Sequence, residues 1–325
     1  MKILHTGDWH IGKVVNEFSM LEDQRYLLQK LIEHMKEDRP DVLIIAGDVY
    51  DRSVPPVGAV ALLDEVLIEI TDLGIPILAI AGNHDSGRRL SFASRLLEEK
   101  GLIIEGEFRI DVRVVTLRDA YGPVNFYLVP YEDPVVIKAM LGEAAPKNPL
   151  AAAGFFFKDL AESLPEKERN VLVTHGFFGR LRENSQVKAE LSDSEVSVGG
   201  ADLIDSSALQ AFDYVALGHL HAPQQAGGET IRYSGSLLKY SLSEALQKKS
   251  FTQVELAEKG KTGITTFSIP PMRDLRVIRG TLEEVADKEA YRPGTNFEDY
   301  VFAELTDDEY LLDAMIFSPS VSPIT

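Results

Sequence analysis

Five apolar, β-branched segments of this chain each stop at a glycine-flanked cluster of polar residues, and that repetition constrains the fold more than any other feature. The clusters are Gly7-Asp8-Trp9-His10, Gly47-Asp48-Val49-Tyr50-Asp51, Gly82-Asn83-His84-Asp85, Thr174-His175-Gly176 and Gly218-His219-Leu220-His221. In layered α/β folds, ligands bind at the carboxyl ends of strands. Glycine there lets the backbone turn sharply and approach a reacting group closely. Two residues separated by one in an extended segment point the same way, so Asp8 with His10, and His219 with His221, can each address one centre.

The segments between the clusters support that layering. Lys2–Thr6, Val42–Ala46 and Ile75–Ala81 read as strands alternating with helices over Leu21–Lys36 and Val57–Thr71. A helix over Ser91–Lys100 precedes hairpin strands at Arg109–Thr116 and Asn125–Val129. A loop-rich stretch with Pro146 and Pro149 then leads to a helix near Lys158–Ser163. Val171–Thr174 and Tyr214–Leu217 read as buried strands flanking a polar surface excursion, Gly179–Gly200. Ile231–Ser234, Phe251–Leu256 and Ile264–Ser268 read as closing strands. Pro270-Pro271 punctuates the chain, Leu275–Arg279 and Asp299–Leu305 suggest a small second module, and the Ser/Pro-rich end has no helical pattern.

The polar set consists of oxygen and imidazole donors. Cysteine is absent, so thiolate ligation and disulfides are excluded, and divalent Mn, Fe or Zn suits the set better than a soft metal. Six or seven ligands are too many for one tetrahedral ion. Two ions, roughly 3.5–4 Å apart with one carboxylate bridging, would use them while clamping a phosphoryl group and activating a water. A formal charge of −18 argues against a protein that coats polyanions by bulk electrostatics. Bound dications or a basic partner protein can reverse that field locally. The amino terminus has no secretory pattern and no apolar run is long enough to span a bilayer, which fits a cytoplasmic protein and no membrane.

The ordered succession Asp-x-His, Gly-Asp-x-x-Asp, Gly-Asn-His-Asp, His-Gly and Gly-His-x-His resembles the calcineurin-like metallophosphoesterase superfamily. Within it, His5 to Gly12, Gly47 to Asp51 with Pro55-Pro56 behind, Ala81 to Ser86, Tyr233 to Ser241 and Pro271 to Leu275 resemble the SbcD family of double-strand-break repair nucleases. The resemblance implies an α/β fold, a layered β-sandwich flanked by helices, with residues 1–270 as the nuclease domain and 271–325 as an incomplete α+β capping domain. It also implies that Asp8, His10, Asp48 and His221 hold one ion, and that Asp48, Asn83, His175 and His219 hold a second. His84 would be the non-ligand proton donor to the leaving oxygen, with Asp85 orienting or acidifying the site. The family's activity is Mn²⁺-dependent 3′-to-5′ exonuclease and endonuclease action on DNA ends and hairpins, in repair and recombination. Its partners are DNA, an SbcC-type ATPase and a second copy of the chain. Family members continue into a helical region that docks on the ATPase. The run Ile316 to Pro323 has no amphipathic helix, so that docking segment is expected to be missing here.

Individual residues also carry plainer readings. His5 should be a buried, hydrogen-bonded strand residue, and His34 a solvated helix residue. Trp9, the only tryptophan, could stack on a base, though packing against the sheet is the commoner role. Asp51 either supports a ligand histidine from behind or caps the following segment. For Asp85, capping a helix stands beside the catalytic role. Arg52, Arg88 and Arg89 stand where they could contact DNA phosphates, but exposed arginines are common. Leu62, Leu63, Val66, Leu67, Leu96 and Leu97 fall on helices of the region through which family members dimerise, and packing on the sheet explains the same pattern. Two rival functions share the metal motifs: a phosphomonoesterase or protein phosphatase, and a fold retained only as scaffold. Asp85 after Asn83-His84 and the Gly-His-x-His pair favour the nuclease over a phosphatase, and the complete donor set speaks against a scaffold.

Overall fold

In the computed structural model, which describes residues 1–180, 203–286 and 298–307, two six-stranded mixed sheets pack face to face with helices on their outer faces. The first sheet contains β1 (Lys2–Thr6), β2 (Val42–Ala46), β3 (Ile77–Ile80) and β4 (Leu102–Glu105). The second contains β5 (Arg113–Asp119), β6 (Gly122–Val129), β7 (Arg169–His175), β8 (Tyr214–Gly218), β9 (Gln224–Gly228) and β10 (Ile231–Tyr233). Strands β11 (Ser250–Leu256) and β12 (Thr262–Ser268) return to the first sheet, whose order is β12-β11-β1-β2-β3-β4. The second runs β9-β10-β8-β7-β6-β5. β1 to β4 are mutually parallel, as are β6, β7, β8 and β10, so the carboxyl ends within each set share one edge.

The inner strands β1, β2, β3, β7 and β8 are buried on both faces, which is why they read as continuous apolar runs. Alternation sorts their side chains. Val42, Ile44 and Ala46 of β2 and Val171 and Val173 of β7 meet between the sheets, while Leu43 and Ile45 face the outer helices of their own sheet. Helix α1 (Leu21–Asp38) presents Leu27, Leu28, Leu31, Ile32 and Met35 to that layer, and α2 (Val57–Asp72) presents Ala59, Leu62, Leu63, Val66 and Ile70. At the edge opposite the ligand clusters, the buried guanidinium of Arg169 joins Asp119 (2.9 and 2.5 Å), Gly122 O, Leu256 O and Ala257 O, fastening the two sheets together.

Three local expectations are corrected. The helix expected over Ser91–Lys100 is reduced to α4 (Ser94–Leu97) and a 3₁₀ turn (Glu98–Lys100), separated from the short α3 (Gly87–Leu90) by Ala93 in the left-handed region (φ 59°). The loop expected around Pro146 and Pro149 contains the start of α6 (Pro149–Glu162), preceded by α5 (Pro134–Leu141). Asp133 and Asn148 cap these helices by accepting from the amides of Val135 and Ala151, with proline at the first turn. His34 is not simply solvated: its ring is half-buried against Phe251 and Phe267.

Of residues 271–325, the described part forms a short helix α7 (Leu282–Ala286) and a parallel pair, β13 (Leu275–Gly280) with β14 (Tyr300–Leu305). Arg273 and Tyr300 tie it to Asp23 at the start of α1. The excursion expected over Gly179–Gly200 lies outside the described residues from 181 onward, as does the Ile316 to Pro323 run.

Candidate metal centre

All five clusters sit at the shared carboxyl edge, three after strands of the first sheet and two after strands of the second. Asp8 and His10 follow β1, Asp48 follows β2 and Asn83 follows β3; His175 ends β7, and His219 and His221 follow β8. Eight non-glycine residues among those described have positive φ, and four of them are Asp8 (52°), His10 (46°), Asp48 (49°) and His219 (114°). Such conformations cost of order 1–3 kcal/mol each and persist only where the surroundings over-determine them, typically at functional sites.

The donor atoms converge around Asp48. Its Oδ2 lies 3.6 Å from His10 Nε2 and 3.5 Å from His175 Nε2, and its Oδ1 accepts the His84 amide at 2.9 Å. On one side His10 Nε2 faces His221 Nε2 at 3.0 Å. On the other, Asn83 Oδ1 lies 2.9 Å from His175 Nε2 and 3.1 Å from His219 Nδ1. Asp8 Oδ1 accepts the His219 amide at 2.8 Å and is 3.9 Å from His175 Nδ1. Donor atoms of Asp8, Asp48 and His175 fall within 4.8 Å of one another, as do those of His10, Asp48 and His84.

Nearby groups fix how these donors point. The Ala46 carbonyl, on the opposite sheet, accepts from His175 Nδ1 at 2.9 Å, and Glu244 Oε1 accepts from His221 Nδ1 at 3.0 Å, which turns each Nε2 toward the centre. Two glycines permit this closeness. A Cβ at Gly218 would lie 1.8 Å from the Ala46 carbonyl oxygen, and one at Gly82 would lie 2.2 Å from Asp48 Oδ1. Buried Gln24 donates to the carbonyls of His10 (2.7 Å) and Trp9 (3.2 Å) and accepts the Gly12 amide, holding the first loop. Asp85 accepts the amides of Val49, Tyr50 and Gly82 at 2.9–3.1 Å, bracing two ligand loops against each other. His84 Nδ1 donates to the Asp51 carbonyl at 2.9 Å, and its ring stands edge-on to His10, centroids 4.8 Å apart. The expected orienting role of Asp85 therefore acts on loops, while the Asp51 carbonyl holds His84. The N-cap position of α3 belongs to Ser86.

The charge balance fits cations. Burial pushes the Asp8 carboxyl up to about 7, reinforced by Asp48 and opposed by His175, and Asp8 Oδ2 is buried with no hydrogen-bond partner among the described residues. Burial would also raise Asp48, but His175, His10 and His84 outweigh it and hold that carboxyl far below the usual range. Burial lowers His10 well below its ordinary value and brings His219 to about 3, so both are neutral donors. His175 is opposed by burial yet raised to about 9 by Asp48 and Asp8. An orphaned carboxylate oxygen, imidazole nitrogens facing one another at 3.0 Å and hard oxygen donors form a set that divalent cations would satisfy.

The remaining candidates divide. Asp51 sits behind His10, its Oδ1 3.8 Å from His10 Nδ1 and 2.9 Å from Lys13 Nζ. Trp9 is a core residue, its indole N–H donating to Thr6 Oγ1 at 2.9 Å, so base stacking is ruled out by burial. His5 is buried with Nδ1 2.8 Å from the Tyr214 hydroxyl, as its strand position predicts. Arg52, Arg88 and Arg89 lie at the rim. Arg52 is near Asp51 (3.6 Å), Arg88 pairs with Glu107 (2.9 Å), and Arg89 donates to the Ser53 carbonyl (3.2 Å). Arg88 also lines a cleft of about 1340 Å³ that adjoins Asn83 and includes Arg95, Arg109 and Arg113. Sequence reasoning misses Gln24, Glu244 and Lys249, polar residues remote from the motifs that are marked only by total burial.

Residues 1–223 match the calcineurin-like phosphoesterase family. Along its whole length the chain is 34% identical to the SbcD component of the SbcCD nuclease of Staphylococcus saprophyticus, covering 83% of that protein. Among solved structures it is similar to a dimetal phosphatase from Danio rerio, with a TM-score of 0.46, 13% identity, 82% of this chain and 98% of that one. It is also similar to GAP50, the anchor in the inner membrane complex of Plasmodium, with a TM-score of 0.47, 14% identity, 83% of this chain and 89% of that one.

Proposed function

The chain belongs to the calcineurin-like phosphoesterase family, in its SbcD branch, and from that premise we propose that it is a DNA nuclease that hydrolyses phosphodiester bonds at a two-cation centre built from the seven converging donors. It is a metal-dependent hydrolase of phosphodiesters and a nuclease of the SbcCD type. The finer reading is Mn²⁺-dependent 3′-to-5′ exonuclease and endonuclease action on double-strand ends and hairpins, in the cytoplasm, with an SbcC-type ATPase and a second copy of the chain as partners. The observation that carries it is the convergence of Asp8, His10, Asp48, Asn83, His175, His219 and His221 from two sheets onto one buried, charge-imbalanced centre.

When bound, the two dications supply Lewis-acid polarisation of the phosphodiester and an acidified water as nucleophile. The protein's own part is to hold and orient. His10, His221, Asp48 and Asp8 would hold one cation, and Asp48, Asn83, His175 and His219 the other. Asn83 contributes an oxygen without adding negative charge. His84 is anchored by its Nδ1–H on the Asp51 carbonyl, and in its doubly protonated form it would hand the Nε2 proton to the leaving oxygen. Exposed apolar side chains on α2, between α3 and α4 and on α4, among them Val57, Ile68, Phe92 and Leu96, support pairing of two copies through this region. The described residues contain no helix long and apolar enough to cross a membrane.

Hydrolysis of a generic phosphomonoester, a generic diester and hairpin DNA with added Mn²⁺ tests the reading, with metal analysis of wild type and Asp48→Ala alongside. Cleavage of DNA and diester with two ions bound, both lost in Asp48→Ala, is expected. Preference for the monoester would mark a phosphatase, and inertness with metal bound would mark a scaffold.

A further inference from the structure

The donor His221 is held from behind by a buried ion pair that no motif contains. Glu244 ends a 3₁₀ turn, Leu242–Glu244, and is fully buried. Lys249, immediately before β11, is 5% exposed. Glu244 Oε1 accepts from His221 Nδ1 at 3.0 Å and from Ser241 Oγ at 3.0 Å, while Oε2 accepts from Lys249 Nζ at 2.6 Å. The same ammonium donates to the His221 backbone carbonyl at 2.9 Å and to Ser236 Oγ at 2.9 Å. His221 is thus gripped twice by one ion pair, at its ring through Glu244 and at its backbone through Lys249.

Replacing a buried ion pair by packed hydrophobic residues is often neutral or stabilising, so stability alone is a weak reason to keep one here. The arrangement does something apolar packing cannot. An imidazole nitrogen donor is selected by what its other nitrogen bonds to, and a carboxylate behind Nδ1 forces the N–H there and leaves Nε2 as the lone-pair donor. Nε2 is the atom that faces His10 Nε2. The ammonium neutralises the carboxylate, so it accepts the His221 proton without adding net charge to a centre that already contains Asp8 and Asp48.

We propose that Glu244 and Lys249 are positioning residues that set the tautomer and aim of His221, and through it the affinity of the His10 side of the centre for its cation. The proposal rests on the reading of His221 as a metal donor. It makes the closing strand of the first sheet part of the machinery of a ligand carried by the second.

Two readouts test it on the full chain. The first is the tautomer of His221 in metal-free protein, read from imidazole ¹⁵N shifts. The second is Mn²⁺ binding, followed by electron paramagnetic resonance for stoichiometry and affinity. Wild type should show His221 protonated at Nδ1, and protonation at Nε2 would overturn the proposal before any variant is made. Glu244→Ala should mix the tautomers and weaken one of the two Mn²⁺ sites by roughly 10- to 100-fold. Glu244→Gln, whose amide oxygen can still accept from Nδ1, should lose less. If the stranded ammonium prevents Glu244→Ala from folding, Glu244→Ala with Lys249→Met removes both charges, and the tautomer mixing and weakened site should remain. Wild-type Mn²⁺ affinity in either folded alanine variant, with His221 still protonated at Nδ1, would overturn the proposal. His221→Ala separates this from failure of the ligand reading. Two undiminished Mn²⁺ sites in that variant would remove His221 from the donor set. Loss there, combined with no effect at Glu244, would defeat the positioning role alone.

Discussion

Replacing Asp8 by asparagine should change stability in opposite directions in metal-free and metal-loaded protein. Burial raises the Asp8 carboxyl from 3.8 to about 7. At 1.36 kcal/mol per pH unit, keeping it ionised in the interior above pH 7 costs about 4 kcal/mol. The sign follows from the direction of the shift. A carboxyl whose folded-state pKa is raised imposes no penalty below about pH 4, and stability is lost as pH climbs from there toward 7. Asparagine removes the charge and keeps the acceptor for the His219 amide, but it places an N–H where Oδ2 has no hydrogen-bond partner among the described residues. An unsatisfied buried donor costs about 1–3 kcal/mol. Metal-free Asp8→Asn should therefore be about 1–3 kcal/mol more stable than wild type at pH 8 and less stable by a similar amount near pH 4. With Mn²⁺ at about 100 times its dissociation constant, wild type should gain about 2.7 kcal/mol per site. The variant, lacking a charged donor, should gain far less, and the order reverses. Urea unfolding at both pH values in chelator, and at pH 8 in Mn²⁺, reads all of these quantities. A variant less stable than wild type in chelator at pH 8, or an equal gain from Mn²⁺, would refute the charge-imbalance argument.

Three further outcomes rest on the same geometry. His84→Gln leaves the backbone amide that binds Asp48 in place, so two ions should still bind while kcat on DNA falls about 10²- to 10⁴-fold. Joint loss of metal in elemental analysis would erase the division between donor and acid. Gly218→Ala puts a methyl 1.8 Å from the Ala46 carbonyl that anchors His175, so urea unfolding should show a loss of about 3 kcal/mol and Mn²⁺ stoichiometry should fall; an unchanged protein would mean that this edge can yield. Arg169→Met takes the guanidinium from Asp119 and from the carbonyls of Gly122, Leu256 and Ala257 at the far edge, leaving Asp119 the terminal amine, and should cost about 3 kcal/mol with the metal centre intact. Arg169 chiefly holds the Asp119 carboxyl below its usual range, opposed by burial and helped by the terminal amine, so that stabilisation is present above about pH 4 and fades as pH falls. The acid limb of the wild-type stability curve should flatten in the variant.

How much is legible in the sequence tracks how local the cause is. β1 and β2 read with their observed ends, because strands buried on both faces are continuous apolar runs and each stops where glycine and a polar donor begin. The Ser91–Lys100 segment misleads because its apolar spacing suits a helix, while Ala93 turns left-handed to break it. The Pro149 stretch misleads because proline reads as a breaker, although Asn148 ahead of it is a cap. At the centre, the donors are visible as residues beside glycines. Glu244, Lys249 and Gln24 are not, because their role comes from burial against parts of the chain remote in sequence, and nothing in their local spacing encodes it.

Division of the donors between two layers ties cation binding to folding. Three of the five donor clusters follow strands of one sheet and two follow strands of the other, and the contacts that aim them cross between the layers, as His175 to the Ala46 carbonyl and the His219 amide to Asp8. The donor set therefore exists only when the apolar face between the sheets has closed, and no single motif can assemble a fraction of it. Cation affinity at this centre is then inseparable from packing of Ile44, Ala46, Val171 and Val173 between the sheets, and binding free energy becomes folding free energy. The same coupling bears on the charge of −18: cations fixed at one place let a protein poor in cationic surface engage a polyanion there, and here their retention would depend on the closure of the two sheets.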